Sequence, residues 1–303
     1  MKRLIFRLSS LGDVILAQSA LVPAFEGETH WVVAREFEAL LSGHPKIARV
    51  WTFDRSANGG LGAWLRLLSE LRRQGYDEVL DLHSTLRTRI ARATFAAFSR
   101  RTRWRTLSKQ RGRRIGYELF KRFWPRALRP TTYSSRCARI AGGYGNERPD
   151  LRWLAAGNVR ASSSGKRIAL VPSSAWPGKE WPAERFSEWV SERSKKREGD
   201  TFLLLGTDRD ETALELAALL ERDRIGFENG IGRYGLGELA RVLAGCDLAV
   251  GADTGLLHLS ESVGTPVVAV YGPTRSDFGF GPLDERSRAV ETSLWCSPCS
   301  KDG

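Results

Sequence analysis

Twice along this chain short apolar runs interleave with longer amphipathic ones, and a polar interval, "NVRASSSGK" (158–166), separates the two series. In the first series, strand-like segments at 3–8, 29–34, 49–54 and 76–83 alternate with helical periodicity near 13–25, 35–42, 61–75 and 84–98. In the second, "RIALVPSS", "TFLLLGT", "DLAVGAD" and "TPVVAVYGP" interleave with "AERFSEWVSERSKK", "ETALELAALLER", "LGELARVLAG" and "TGLLHLSESVG". Strands that alternate with helices pair in parallel and carry helices on both faces. The pattern predicts an α/β protein of two similar domains, 1–157 and 158–303. Its 303 residues are enough for both cores.

A composition of 42% hydrophobic and 27% charged residues is that of a soluble globular protein. Met1-Lys2-Arg3 precedes only a few apolar residues before Arg7, which is not a signal-peptide pattern. No apolar run approaches the ~20 residues of a membrane span. Cys137, Cys246, Cys296 and Cys299 are too few for a disulfide scaffold and point to a reducing compartment. A cytoplasmic location is expected.

The net charge of +12 is segregated. Residues Arg87 to Arg139 hold 17 lysines and arginines against one acid, Glu118, whereas the remainder has 30 basic and 34 acidic residues. Aromatic residues, Phe95, Phe98, Trp104, Tyr117, Phe120, Phe123 and Trp124, are interleaved with that charge. Such a segment suits anionic lipid head groups, an acidic glycan or nucleic acid. A solvated basic face with no partner is the alternative.

Three strand-to-helix turns carry candidate chemistry. "RLSSLGDVIL" (7–16) places Ser10, Gly12 and Asp13 where a strand gives way to a helix, the position at which open α/β sheets bind ligands. Asp13 there is either a helix cap or a cleft carboxylate. "VPSSAWPGKEWPAERF" (171–186) sets Ser174 and Lys179 in a small-residue loop after a strand. Lysine in that setting captures phosphate as a point charge or decorates the surface. The Walker A spacing is missing. "GADTGLLHLSESVG" (251–264) opens a helix at Asp253-Thr254-Gly255, whose free N–H groups make an anion site. Asp253 would repel phosphate directly, so a sugar hydroxyl or the helix cap is its expected partner. His258 lies one turn on, as a site residue or a packed core histidine.

Two weaker signals lead elsewhere. Gly230-x-Gly232-x-x-Gly235 has dinucleotide-loop spacing, but the preceding "IGFE" is too short and polar for the buried strand that the motif needs. Cys296-x-x-Cys299 lacks the second pair that a closed zinc site requires. Neither a cofactor nor a metal is expected.

Taken in order, "RLSSLGDVIL", "VLDLHSTLRT" (79–88), "PSSAWPGKEWPAERF", "LLGTDRDE" (204–211) and "DTGLLHLSESVGTPVVAVYGPT" (253–274) resemble glycosyltransferase family nine, the ADP-heptose:lipopolysaccharide heptosyltransferases. The C-terminal "CSPC" resembles the family too, although no further cysteine follows it. The resemblance implies a GT-B architecture, two Rossmann-like domains facing a cleft, with the acceptor bound by the first and the nucleotide sugar by the second. It implies inversion at the anomeric carbon without a metal. Asp13 maps to the proposed base and Lys179, with Ser174, to the phosphate-binding loop. Asp253, Thr254, Gly255, Leu256 and His258 map to the donor motif, and Asp208 to an acid that meets the nucleoside.

The chemistry suits this transfer. A nucleotide sugar carries its own leaving group, so the protein must activate an acceptor hydroxyl and stabilise a departing diphosphate. One carboxylate serves the first need. A lysine and a helix N-terminus serve the second. Arg87 and Arg89, after the strand at 76–83, are the expected contacts to an acidic core acceptor, together with Ser10 and Gly12 of the first turn. The more distal arginines are expected to steer the protein to the anionic inner face of the cytoplasmic membrane. The expected partners are thus an ADP-sugar, a lipopolysaccharide core and that membrane surface, without nucleic acid. The rival readings are a transferase using another nucleotide sugar, or a non-catalytic basic module that binds nucleic acid or membranes.

Overall fold

The computed structural model describes residues 1–54, 60–98, 101–156, 165–292, 294 and 296–299. These divide into two compact units, one of Met1–Lys109 with Tyr133–Pro149 and one of Gln110–Thr132 with Asp150–Gly303. The polar interval expected to join the domains falls largely outside the described residues.

The first unit carries β1 (Lys2–Phe6), α1 (Leu11–Ala17), β2 (Glu28–Ala34), β3 (Arg49–Phe53), α2 (Leu61–Arg73), β4 (Glu78–Asp81), α3 (Leu86–Phe98) and β5 (Arg103–Thr106). Its sheet is wholly parallel in the order β3-β2-β1-β4-β5. Central β1 is buried on both faces, as parallel sheets demand. From α2, Trp64, Leu68 and Leu71 enter the core at helical spacing. There the Trp64 ring meets Phe53 edge-on at 5.1 Å and Phe6 at 6.1 Å. Two expected helices are shorter than their periodicity suggests. α1 passes into a 3₁₀ turn at Gln18–Ala20, ahead of Pro23, which bars its neighbour from helical backbone. Arg35–Leu40 is a 3₁₀ helix throughout.

The second unit takes in α4 (Arg111–Phe120) from the basic segment, while α5 (Tyr133–Ile140) returns to the first. Then follow β6 (Arg167–Val171), α6 (Ala183–Lys196), β7 (Thr201–Leu204), α7 (Glu211–Arg222), β8 (Glu228–Asn229), α8 (Leu236–Ala244), β9 (Leu248–Ala252), α9 (Gly255–Ser262), β10 (Val267–Tyr271) and β11 (Arg288–Glu291). The sheet order is β11-β10-β9-β6-β7-β8, again all parallel. Ile168, Leu170, Phe202, Leu204 and Val250 from the strands pack against Phe186 and Val190 of α6 and Leu216 and Leu220 of α7.

Both sheets wind alike. The chain adds strands outward on one side of the first strand, then crosses to its other side with the fourth. The switch falls between β1 and β4 in one unit and between β6 and β9 in the other. Loops part there at the carboxyl ends of the strands, which is where such sheets bind ligands. The dinucleotide-like glycine loop follows β8, a two-residue edge strand, and therefore lies at neither switch point.

Candidate active site

In the first unit the β1–α1 turn opens at the switch point, with Phe6 of β1 in register with Asp81 of β4. Ser10 is the N-cap residue of α1, and Asp13 sits in the first turn. The Asp13 carboxylate accepts from the Ser10 hydroxyl at 3.0 Å and from the Ser10 N–H at 3.4 Å, so the capping contact is present. It also forms an ion pair with Arg7, a partner the sequence reading missed. Arg7 is 8% exposed, donates to the Leu82 carbonyl at 2.7 Å and lies 5.3 Å over the Tyr133 ring. Burial opposes its charge, but Tyr133 and Asp13 outweigh that and raise its pKa. Held by Arg7 and Ser10, the Asp13 side chain remains 23% exposed.

Asp81 closes the other side of this switch point. Its carboxylate accepts from the His83 and Ser84 N–H groups at 3.0 and 2.8 Å. Burial pushes its pKa up. Arg87 and Arg89, at the start of α3, are exposed. The Arg87 guanidinium lies 5.0 Å over the Phe53 ring. Among the described residues neither arginine is bonded to Ser10 or Asp13. Gly12 lies in the first turn of α1, half-buried.

In the second unit, hydrogen bonds from the loop after β6 bridge the switch point to the loop after β9. Gly251 on β9 stands opposite Val171 on β6. A methyl group there would collide with the Val171 carbonyl oxygen, so only glycine lets the two strands approach. Just beyond, Lys179 Nζ donates to Asp253 Oδ2 at 2.8 Å, with the side chains 13% and 12% exposed. Thr274 Oγ1 donates to the same oxygen at 3.4 Å. Asp253 is thus neutralised by Lys179, and Thr254 takes the N-cap position of α9. This corrects the expectation of Asp253 as the helix cap: its carboxylate is drawn across the switch point by the lysine instead.

Ser174 Oγ donates to the Asp253 carbonyl at 3.5 Å. Its N–H donates to Glu180 Oε1 at 2.7 Å, and Glu180 is held in turn by the Thr212 hydroxyl. Asp253, Thr254 and His258 line a small pocket with Glu261 and Tyr271. His258 is 8% exposed. Gly255 and Leu256 supply the first N–H groups of α9, which the helix leaves without carbonyl partners. Asp208 lies apart, exposed in the loop after β7, beside the left-handed Gly232. The structure therefore joins Lys179, Asp253 and Ser174, gathers Thr254 and His258 around them, and leaves Asp208 on the rim.

Glu180 and Thr274, like Arg7, escaped the sequence reading, though each lies inside or beside a quoted motif. Among the described residues there is no cluster of three or more histidine, cysteine or acidic side chains spaced to hold a metal. No described helix is long and apolar enough to cross a membrane.

Comparison with known proteins gives the same outline. The profile described as glycosyltransferase family 9 (heptosyltransferase) matches residues 64–303. Lipopolysaccharide heptosyltransferase 1 of Pseudomonas aeruginosa is 26% identical over 325 aligned positions, covering 99% of this chain and 86% of that protein. A family 9 glycosyl transferase from Veillonella parvula superposes with a TM-score of 0.74 at 21% identity, covering 96% of this chain and 86% of that one. The E. coli heptosyltransferase WaaC, solved with ADP-2-deoxy-2-fluoro heptose, superposes with a TM-score of 0.70 at 22% identity, covering 96% and 93%. The fold shared with these structures is the GT-B class that the motifs imply.

Proposed function

The chain belongs to glycosyltransferase family 9, and from that premise we propose that it moves heptose from ADP-heptose to the inner core of lipopolysaccharide, with inversion and without a metal ion. The unit built on β1–β5 receives the acceptor, and the one built on β6–β11 receives the nucleotide sugar. Asp13 takes the proton from an acceptor hydroxyl as that oxygen attacks the anomeric carbon. The bond from that carbon to the diphosphate oxygen breaks on the opposite face, and ADP leaves with the electron pair. Lys179 and the first N–H groups of α9 stabilise the charge that develops on the diphosphate. Ser174 supports the phosphate loop, Asp253 and His258 contact the donor, and Asp208 reaches the nucleoside.

The observation that carries this reading is the Lys179–Asp253 pair at the N-terminus of α9. One of the three ammonium protons is used by Asp253, and the others remain to meet a phosphate. Without Lys179 the carboxylate would repel the diphosphate. Arg87 and Arg89 are read as contacts to the acidic groups of the acceptor. The acceptor is borne on lipid, so the enzyme works in the cytoplasm against the inner face of the membrane.

The test is turnover by the purified protein of ADP-heptose with a deacylated core acceptor, followed by mass spectrometry, in EDTA. The expected product is heavier by one heptosyl unit and has the anomeric configuration opposite to that of the donor. Turnover with a different nucleotide sugar only, or turnover that needs added magnesium, would overturn the corresponding part.

A further inference from the structure

Five of the exposed large hydrophobic side chains fall within one stretch of the second unit: Ile115, Leu119, Phe120, Phe123 and Leu128. Leu119 and Phe123 are 70% and 76% exposed. A soluble protein gains nothing from an apolar cluster of this kind unless something covers it. Arg111, Ile115 and Leu119 recur every fourth residue and share one face of α4. The opposite side is fastened down. Tyr117 donates to Asp277, 2.8 Å from each carboxylate oxygen, and Arg129 donates to Asp277 Oδ2 at 2.6 Å. Lys121 Nζ donates to the carbonyls of Cys296 and Pro298 at 2.5 and 3.0 Å. Trp124 folds back onto Gly116, where a side chain would strike its indole, and stacks on Phe120 at 5.6 Å. The segment is a firmly held platform whose outer side presents Ile115 and Leu119 with Arg111 beside them.

The charge around it selects the occupant. Gln110–Thr132 holds seven basic residues and one acid. Arg122 lies 4.9 Å over the Phe123 ring, so cation and ring are presented together. A second copy of this chain would bring a like charge against it, which opposes pairing. Nucleic acid would use the rings and arginines but leave Ile115 and Leu119 uncovered. An anionic bilayer takes both: its phosphates meet the arginines, and its acyl boundary receives the apolar side chains.

We propose that α4 and the turn Lys121–Phe123 form an interfacial docking element, with Leu119 and Phe123 entering the acyl boundary of an anionic leaflet and Arg122 and Arg126 at the level of its phosphates. The proposal builds on the reading of a lipid-borne acceptor and names the surface that meets the lipid.

The test is co-sedimentation of the full chain with vesicles of equimolar phosphatidylglycerol and phosphatidylethanolamine, compared with pure phosphatidylcholine. It contains neither sugar donor nor acceptor, so it reads the surface independently of the reaction. Binding to the anionic vesicles that weakens with salt is expected. Leu119→Ser with Phe123→Ser should weaken it about 10–100-fold, given the usual worth of burying such side chains. Arg122→Gln and Arg126→Gln should each cost about fivefold. Thermal melting should be unchanged in all variants, and Phe123→Ser alone should show the effect if the double variant melts early. Absence of vesicle binding by the wild type, or undiminished binding by both sets of variants, would overturn the proposal. So would a wild-type dimer that the serine variants dissociate, or RNA binding in place of vesicle binding.

Discussion

At Asp13, Arg7 and the Ser10 hydroxyl hold the same carboxylate oxygen, Oδ2. Replacing Asp13 with Asn retains the shape and removes the proposed proton acceptor. Turnover should fall by about two to four decades, the usual worth of a general base, while ADP affinity measured by calorimetry stays the same. Lys179→Met has the opposite signature. On the proposed assignment it removes a charge-assisted bond to phosphate and leaves Asp253 unneutralised, so ADP binding should weaken by about 1.5–3 kcal/mol. Adding Asp253→Asn to that variant should restore part of the loss, because the repelling carboxylate is gone. The placement of Asp13, Lys179 and Asp253 in strand-to-helix turns was legible because each lies between an apolar run and an amphipathic one. Their partners were less so. Thr274 and Glu180 are recruited through folding, and nothing in the spacing of Glu180 and Thr212 announces that they touch. Arg7 had left one trace, a charge set within the otherwise apolar run from Leu4 to Leu8.

The central strands and the helices α6 and α7 are as their patterns predict, since burial on both faces makes a parallel strand a continuous apolar run. Polar edge strands leave no such mark, and β5, β8 and β11 were not foreseen. Close strand contact is also invisible until the register is known. Gly251→Ala should wedge β6 from β9, costing about 1–3 kcal/mol in denaturant and reducing ADP binding along with it. On β2, His30 Nε2 lies 2.6 Å from Glu28 and Nδ1 2.7 Å from the Tyr76 hydroxyl. Burial holds its pKa below the ordinary 6.5. The unfolded chain therefore takes up the proton first, and stability conferred by neutral His30 is lost as pH falls through that ordinary value. His30→Gln removes this dependence, so the stability gap between wild type and variant, read by urea titration, should shrink between about pH 8 and about pH 5.

At the scale of the whole molecule, the two series of strands were plain in the sequence, but the affiliation of the basic segment was not. Reading along the chain assigns residues 110–132 to the first domain with their neighbours. The bonds of Tyr117 and Arg129 to Asp277, and of Lys121 to the carbonyls of Cys296 and Pro298, group them with the second unit. Arg103 and Arg105, on β5, remain with the first, so the arginines expected to act together are divided between units. Because the elements proposed to hold the donor lie within one unit, ADP alone should slow amide exchange after β6 and β9. Exchange at Ser9–Asp13 should be unaffected, as measured by mass spectrometry. The interlaced chain also has a consequence in time. During synthesis Gln110–Thr132 leaves the ribosome well before Asp277, and at ~5–20 residues per second it waits roughly ten to thirty seconds for that anchor. Through that interval the nascent protein carries an apolar, cationic segment without its Asp277 anchor, the kind of exposed stretch that chaperones cover.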